Sequence, residues 1–152
     1  MAQSRKLART ECARRRVMHS RAKLPQDKKD LPIIAIVIGV LGISASGTAD
    51  AFTKLPSTVT FALASYGADL EKLAERARSG KHEILLQVPM EPFDYPDNDP
   101  GPQTLLTSLT PEQNIDRLHW LMSRFQGYVG LINFMGARFT ASDRAWHPCC
   151  AM

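Results

Sequence analysis

Residues 83–109 read EILLQVPMEPFDYPDNDPGPQTLLTSL, and this stretch decides the fold. It begins as an apolar strand, Ile84-Leu85-Leu86, and then changes into a loop that holds half of the ten prolines in the chain. Proline fixes φ and donates no backbone hydrogen bond, so it cannot continue a sheet ladder. The stretch therefore predicts a buried strand followed by a rigid loop. In α/β folds the loops at the carboxyl ends of strands hold the binding and catalytic residues.

The polar side chains of this loop are the first candidates for function. Glu91 stands between two prolines at the strand end and is the candidate for acid–base chemistry or substrate contact, against the alternative of a solvated loop glutamate. The aspartates of the loop lack the regular spacing and the acidic twelfth residue of a calcium loop. The further candidates for contact with substrate are Gln87, Tyr95, Asn98, Asp99 and Asn133.

On both sides of this stretch, strand patterns alternate with helix patterns. Thr110-Pro111-Glu112-Gln113 predicts a helix start, with a threonine cap, proline at the first position and glutamine at the capping-box position. The predicted strands are 31–43, 59–64, 82–88 and 128–132, and the predicted helices are 49–54, 69–79 and 110–127. Such alternation predicts parallel β-α units.

The most apolar run, LPIIAIVIGVLGI at 31–43, has two interpretations. It is shorter than the roughly 20 residues of a membrane-spanning helix, and it resembles the core of a signal peptide. The segment before it is long for a signal peptide, and its β-branched residues favour a buried parallel strand. We therefore predict a strand and no signal peptide.

The charge of the chain is unevenly distributed. Residues 1–29 hold ten Lys or Arg against Glu11 and Asp27, a net charge of +8, while the whole chain carries +4. We predict a disordered basic arm over residues 1–30, with an anionic membrane surface as its alternative partner. No aromatic residues are interleaved for base stacking, so no specific nucleic acid is expected. The three cysteines, Cys12, Cys149 and Cys150, form no disulfide framework or metal-binding spacing.

From about residue 31 to 144 the chain resembles the divergent polysaccharide deacetylase family, a group of (β/α)-barrel proteins. The resemblance is carried by IAIVIGVLG, GADLEKLAERARSGKHEILLQVPMEP, DYPDNDPGPQTLLTSLTPEQNIDRL and GYVGLINFMGARFTA. It implies a barrel with a polysaccharide-facing cleft over the strand ends, a role in carbohydrate metabolism, and a periplasmic or envelope location. The absence of a recognisable signal peptide leaves the cytoplasm as the alternative location.

Two positions depart from the family pattern. The family typically carries an acidic residue after the first strand, as Ile-Asp-Asp or Ile-Asp-Gly before Leu-Gly, where this chain has Gly39-Val40. Many relatives read Asn-Asn-His-Met-Gly at the fourth strand, where this chain has Phe134 in place of the histidine. Related deacetylases use such ligands to hold a divalent metal such as zinc, which polarises the acetamide and activates water. No metal ligand set and no cofactor is therefore expected in this chain.

These observations predict an α/β fold, a partial (β/α) barrel of about four parallel strands. A complete barrel of this type needs about eight strands and 200 or more residues. We therefore expect a truncated deacetylase-like domain over residues 31–144 and an irregular tail over 145–152. The expected function is that of a polysaccharide deacetylase-like protein that is inactive in this form. The alternative is a non-catalytic module that binds polysaccharide or oligosaccharide or serves as an interaction module of the envelope.

Overall fold

The computed structural model describes residues 34–150, in which strands and helices alternate. The strands are β1 (Val37–Leu41), β2 (Thr60–Ala64), β3 (Ile84–Met90) and β4 (Gly130–Met135). The helices are α1 (Ala45–Lys54), α2 (Leu70–Ser79), α3 (Pro111–Met122), α4 (Ala137–Thr140) and α5 (Asp143–Cys150). The predicted α/β fold is confirmed. The basic arm predicted for residues 1–30 lies outside the described residues.

The strands form one sheet in the order β1-β2-β3-β4, and every neighbouring pair is parallel. Crossovers between parallel strands are almost always right-handed. When the strand order follows the chain order, right-handed crossovers bring all connecting helices to the same face of the sheet. A (β/α) barrel has this arrangement, whereas a doubly wound sheet carries helices on both faces. The prediction of a partial barrel with about four parallel strands is confirmed.

The face of the sheet that the helices cover, called the outer face below, holds the hydrophobic core. The register pairs Phe61 with Ile84 and Leu63 with Leu86, and all four side chains are fully buried. They form one cluster with residues of α1 and α2, including Ala51, Leu70, Ala74 and Ala77. A second cluster joins the end of β3 to α3, α4 and α5 through Val88, Met90, Leu118, Leu121, Phe139 and Ala145.

The opposite face of the sheet, called the inner face below, follows from the alternation of side chains along each strand. On β2 it presents the small residues Ala62 and Ala64, and on β3 it presents Gln87, which lies beside Ala64 in the register. On β4 it presents Ile132 and Phe134, because these pair with Gln87 and Pro89. The inner face therefore combines small and apolar residues with a single amide.

Helix α3 begins as its sequence predicts. The Thr110 side chain accepts a hydrogen bond from the Gln113 backbone N–H, and the Gln113 side chain accepts one from the Thr110 N–H. Pro111 takes the first helical position, where no backbone donor is needed. The predicted end at Gly127 is wrong, because the helix stops at Met122 and Ser123 forms its C-cap. Phe125 is buried nevertheless, in the cluster with α1 and α2.

Several element boundaries differ from the predictions. The first strand is shorter than 31–43, and its regular part begins at Val37. Helix α1 begins at Ala45 instead of residue 49, because Ser44 caps it by accepting a hydrogen bond from Gly47 N–H. Strand β4 runs to Met135 instead of stopping at residue 132, so Asn133 and Phe134 belong to the sheet.

The irregular tail predicted for residues 145–152 is wrong over the part that the structure describes. Residues up to Cys150 belong to α5, in which Ala145 is buried in the second cluster and Trp146 packs against that cluster. Trp146 N–H also donates to the Ser142 carbonyl at 2.9 Å. The helix includes Pro148, and the apolar packing of Ala145 and Trp146 holds it against the second cluster.

Strands β1 and β4 form the two edges of the sheet. Several apolar side chains on or beside them are exposed, namely Ile36, Val37, Val40, Leu131 and Met135. Within residues 34–150, no helix is both long enough and apolar enough to cross a membrane.

Candidate functional site at the strand ends

The proline loop, defined here as residues 91–109, leaves β3 at the carboxyl edge of the sheet and returns to it. Leu105 forms an isolated parallel bridge with Met90. Its N–H donates to the Pro89 carbonyl at 2.9 Å, and its carbonyl accepts from the Glu91 N–H at 2.9 Å. Leu105 is fully buried, so both stems of the loop are fixed to the core. The predicted loop at the strand end is present and is attached at both stems, and its rigidity stays a prediction.

Glu91 lies at the start of this loop, and protein donors contact both of its carboxylate oxygens. One oxygen accepts hydrogen bonds from the backbone N–H and the hydroxyl of Thr107, the latter at 2.8 Å. The other lies 3.3 Å from a guanidinium nitrogen of Arg138. The Glu91 carbonyl accepts from Arg138 N–H and Phe139 N–H, both at 3.1 Å. Glu91 is 4% exposed, so in this geometry it joins β3, the proline loop and α4. Its proposed catalytic role stays a prediction.

Tyr66 lies two residues beyond the end of β2 and packs against the proline loop. A Cβ added to Gly101 would lie 2.7 Å from Cε1 of Tyr66, so the ring rests on the bare backbone of this glycine. Burial, and then the negative charge of Asp99, raise the pKa of the Tyr66 phenol above its ordinary value. Asp99 in turn accepts from Gly101 N–H at 2.9 Å and from the Thr104 hydroxyl at 3.3 Å. The Tyr66 phenol therefore lies beside both Gly101 and Asp99 of the proline loop.

Tyr66 is not among the residues that the sequence predicted for the site, although a signal was present. It stands just after a strand, as Glu91 does, and parallel strands end at the same edge of the sheet. The residue before it, Ser65, is fully buried, and its hydroxyl is without a hydrogen-bond partner among the described residues.

The tip of the proline loop carries the most accessible polar groups of the site. Asp94, Asp97 and Asn98 are exposed, and Tyr95 is half-buried. The Asn98 side-chain amide donates to the Asp94 carboxylate, and Asn98 N–H donates to the Asp94 carbonyl at 3.2 Å. The structure thus brings the predicted residues Tyr95, Asn98 and Asp99 together on one loop.

Gln87 lies apart from that loop tip, on the inner face. Its side chain extends past the alanines on the inner face of β2, and its amide oxygen accepts from the Val40 N–H of β1 at 2.7 Å. A Cβ added to Gly39 would lie 2.8 Å from the Gln87 amide nitrogen. Val40 itself has a φ of 60°, and the β1–β2 register shifts between Ile38 and Leu41. Gln87 therefore bonds to β1 where that strand is irregular.

Asn133 is separated from Gln87 by the sheet. It pairs with Val88, a residue of the outer-face core, so its side chain projects to the outer side. There its amide donates to the Met135 carbonyl at 2.7 Å. The structure therefore does not bring Asn133 together with Gln87 and the loop residues.

The inner face does not fit the divalent metal that the resemblance implies. Gly39 supplies no ligand atom, Phe134 has an apolar ring, and the amide oxygen of Gln87 is already hydrogen-bonded to Val40. Metal sites in proteins need several nitrogen, oxygen or sulfur ligands around one point. Among the residues that the structure describes, no group of three or more His, Cys, Asp or Glu residues is placed to hold an ion.

Comparisons with known proteins agree with the topology. A family model described as divergent polysaccharide deacetylase matches residues 36–152. A crystal structure of an uncharacterised protein from Agrobacterium tumefaciens C58 superposes with a TM-score of 0.74 at 45% sequence identity. The match covers 76% of this chain and 47% of that one, so this chain spans about half the length of the solved relative. No curated protein matches this chain.

Proposed function

The chain belongs to the divergent polysaccharide deacetylase family, and from that premise we propose that it is a deacetylase-like protein of carbohydrate metabolism that does not perform metal-dependent hydrolysis. One observation carries this proposal: Gly39, Gln87 and Phe134 occupy the inner face with no set of ligand atoms. Metal-assisted hydrolysis needs a bound cation both to polarise the acetamide and to lower the pKa of a water molecule. These side chains supply neither the charge nor the geometry for that cation.

Glu91 alone does not replace the missing ligands. A general base must reach the water or the proton that it takes. The Glu91 carboxylate is 4% exposed and engaged by Thr107 and Arg138, so a substrate at the loop surface would first have to break these contacts. A catalytic Glu91 therefore requires the loop to rearrange, and the present geometry supports a role in positioning the loop.

Acetate release tests this proposal. The purified full chain is incubated with N-acetylated oligosaccharides, with added zinc and separately with a chelator, beside a zinc-dependent deacetylase as positive control. We expect no acetate above the blank in either condition. Release that depends on zinc and disappears with the chelator would refute the proposal.

A second candidate function, non-catalytic binding of polysaccharide or oligosaccharide, is supported by the loop tip. Sugar hydroxyls are bound by planar polar groups and by the faces of aromatic rings, and this surface offers Tyr95, Asn98 and Asp99 on fixed stems. A rigid loop loses little conformational entropy on binding. Gln87 and Asn133, also proposed as contacts, lie on opposite faces of the sheet and cannot both join this surface.

Calorimetric titration with oligosaccharides separates the two functions. Tyr95→Ala and Asn98→Ala are each expected to weaken binding about tenfold, which corresponds to roughly 1.4 kcal/mol. Asp116→Ala, an exposed change on α3 away from the loop, is the matched control and should bind like the unaltered chain. Equal binding by all four proteins would exclude the loop tip as the sugar surface.

The proposed location follows from the family and not from the described residues. A periplasmic or envelope location would bring the domain to its polysaccharide, and the basic arm at 1–30 would add attraction to an anionic membrane surface. The arm proposal is tested by co-sedimentation of the full chain with vesicles. Retention on anionic but not on neutral vesicles, decreasing with salt, supports it, and equal retention on both refutes it.

A further inference from the structure

Among the residues that the structure describes, the two edge strands of the sheet lack the features that usually protect such edges. Soluble proteins prevent their edge strands from pairing with other chains by means of charged side chains, prolines or covering segments. The edge strands β1 and β4 read VIGVL and GLINFM, with no charged residue and no proline. The irregularity in β1 affects only the part beyond Ile38. Ile36 is 53% exposed, and Leu131 and Met135 are each 44% exposed.

The charge and hydrophobicity of these edges indicate which segment could cover them. Both edge strands are neutral and apolar, so the matching surface is also neutral and apolar. The basic arm is a poor match, since residues 1–29 carry ten Lys or Arg and few large apolar residues. A second copy of the same chain offers a matching neutral edge for each strand, and no like charges would meet there.

The strand order indicates how two copies fit. A parallel strand pairing with β4 continues the sheet, and the first strand of another copy, β1, has a free parallel edge. Pairing β4 with the partner's β1, and β1 with the partner's β4, gives a cyclic order of about eight parallel strands, the number that closes a barrel of this class.

We propose that this chain forms a two-fold symmetric dimer in which the β1 edge of each copy pairs with the β4 edge of the other, closing a barrel from two halves. Closure removes both exposed edges at once, whereas a single head-to-tail contact would leave an edge free for further growth. The inner faces of the two sheets then face each other, and Ile132 and Phe134 become part of a closed interior.

The dimer has a consequence for the candidate site. All strands of a closed parallel barrel point the same way along its axis, so the carboxyl ends of both sheets lie at one mouth. The two proline loops, one from each copy, would therefore stand around the same opening. This arrangement does not rest on the proposed sugar chemistry, and the mass measurement below is independent of any ligand.

Light scattering after size-exclusion chromatography, over a range of protein concentrations, tests the dimer. The full chain is expected at twice the mass of one copy. Ile36 stands immediately before β1, on the side of Ile38, and Leu131 lies in β4 beside Leu86, so both belong to the outer side of the sheet. The proposed dimer pairs these two residues as cross-strand neighbours. Ile36→Lys and Leu131→Glu, made singly, should each weaken dimerisation at least about tenfold, because a charge is buried without a partner.

The double variant makes the test specific. In Ile36→Lys/Leu131→Glu each lysine meets a glutamate of the other copy, so the dimer should be recovered. Phe93→Lys is the matched control, since Phe93 is an equally large exposed apolar residue away from both edges, and it should leave the dimer unchanged. Circular dichroism checks that every variant is folded.

Three outcomes would overturn the proposal: a monomer at every concentration, a mass that grows beyond the dimer without limit, or a dimer unaffected by both single variants. If a single variant fails to fold, hydrogen exchange of the unaltered chain decides. Backbone amides of 36–41 and 130–135 should exchange more slowly at high protein concentration, and rates independent of concentration would count against the dimer.

Discussion

At the scale of residues, Gly39 and Gln87 share one small volume on the inner face. The Gln87 amide nitrogen lies 2.8 Å from where a Cβ of residue 39 would stand, and its oxygen bonds to Val40 N–H. A side chain at position 39 and the present Gln87 conformation therefore exclude each other. An aspartate introduced at position 39 would displace the amide before it could approach a metal, so replacing this one residue is not expected to restore a metal site.

The first prediction concerns this pair. Gly39→Ala is expected to lower the free energy of unfolding by about 1–2 kcal/mol, because Gln87 must move and lose its bond to Val40. In a Gln87→Ala background the same change should cost about 1 kcal/mol less. Urea denaturation of the four proteins measures the coupling. Gly47→Ala, in helix α1, is the control and should be neutral or stabilising. Additive effects of the pair would contradict the shared volume.

The second prediction concerns Tyr66 and alkaline pH. The pKa of its phenol is raised above the ordinary value of 10.0, first by burial and then by Asp99. The unfolded chain therefore loses this proton at lower pH than the folded chain. The stability that depends on the protonated phenol is complete below pH 10.0 and decreases as the pH rises through the folded pKa.

Tyrosinate absorbance, followed during alkaline titration, measures this shift. The unaltered chain should show a tyrosine transition above the ordinary pKa of 10.0, and Tyr66→Phe should remove that transition. Asp99→Asn should move that transition to lower pH, since it removes a neighbouring negative charge. An identical titration for Asp99→Asn and the unaltered chain would show that the charge of Asp99 does not reach the phenol.

At the scale of elements, the sequence predicts what local patterns control and fails where a distant partner decides. The capping box of α3 and the alternation of strands and helices are local, and both were predicted. The length of β4 depends on a distant partner, because β3 pairs with it as far as Met135 and the strand therefore extends beyond residue 132. Each side chain of a strand projects to one of the two faces of the sheet. Because β4 extends beyond residue 132, Asn133 belongs to the strand and its side chain projects to the outer face. The contacts of Gln87 with Val40 and of Tyr66 with Gly101 also cannot be predicted from the neighbouring sequence.

The third prediction concerns the attachment of the proline loop. Glu91→Ala leaves the Thr107 N–H and the Arg138 side chain without the carboxylate, so the free energy of unfolding should fall by about 2 kcal/mol. Asp97→Ala, a change to an exposed acid of the same loop, should alter it by less than about 0.5 kcal/mol. Urea denaturation measures both. If Glu91→Ala is as stable as the unaltered chain, Glu91 does not hold the loop. That result would favour a catalytic role for its carboxylate.

At the scale of the whole molecule, the sheet has one face covered by helices and two edges that no described residue covers. The helices bury the outer face in two clusters that meet along β3, while β1 and β4 expose apolar side chains. Apolar surface that folding leaves exposed contributes nothing to stability until something covers it. The stability of this domain is therefore expected to depend on association more than that of a closed barrel.

The fourth prediction follows from this dependence. If the folded chain associates and the unfolded chain does not, mass action raises the melting temperature as the protein concentration increases. Differential scanning calorimetry of the unaltered chain should show this increase, and Ile36→Lys should melt at a lower temperature than the unaltered chain at each concentration, because its dimer is weaker. A melting temperature of the unaltered chain that does not change with concentration would mean that each copy is stable alone.

The doubly attached proline loop has one more consequence, for how the protein can change. Its stems are held by the backbone pairing of Leu105 with Pro89 and Glu91, while its tip around 93–98 makes few contacts with the core. Lengthening a loop whose ends are already fixed costs little, about 0.6 kcal/mol for each doubling in length. The tip is thus a place where insertions of foreign peptide would be tolerated. New recognition could arise there by insertion while the sheet is left unaltered.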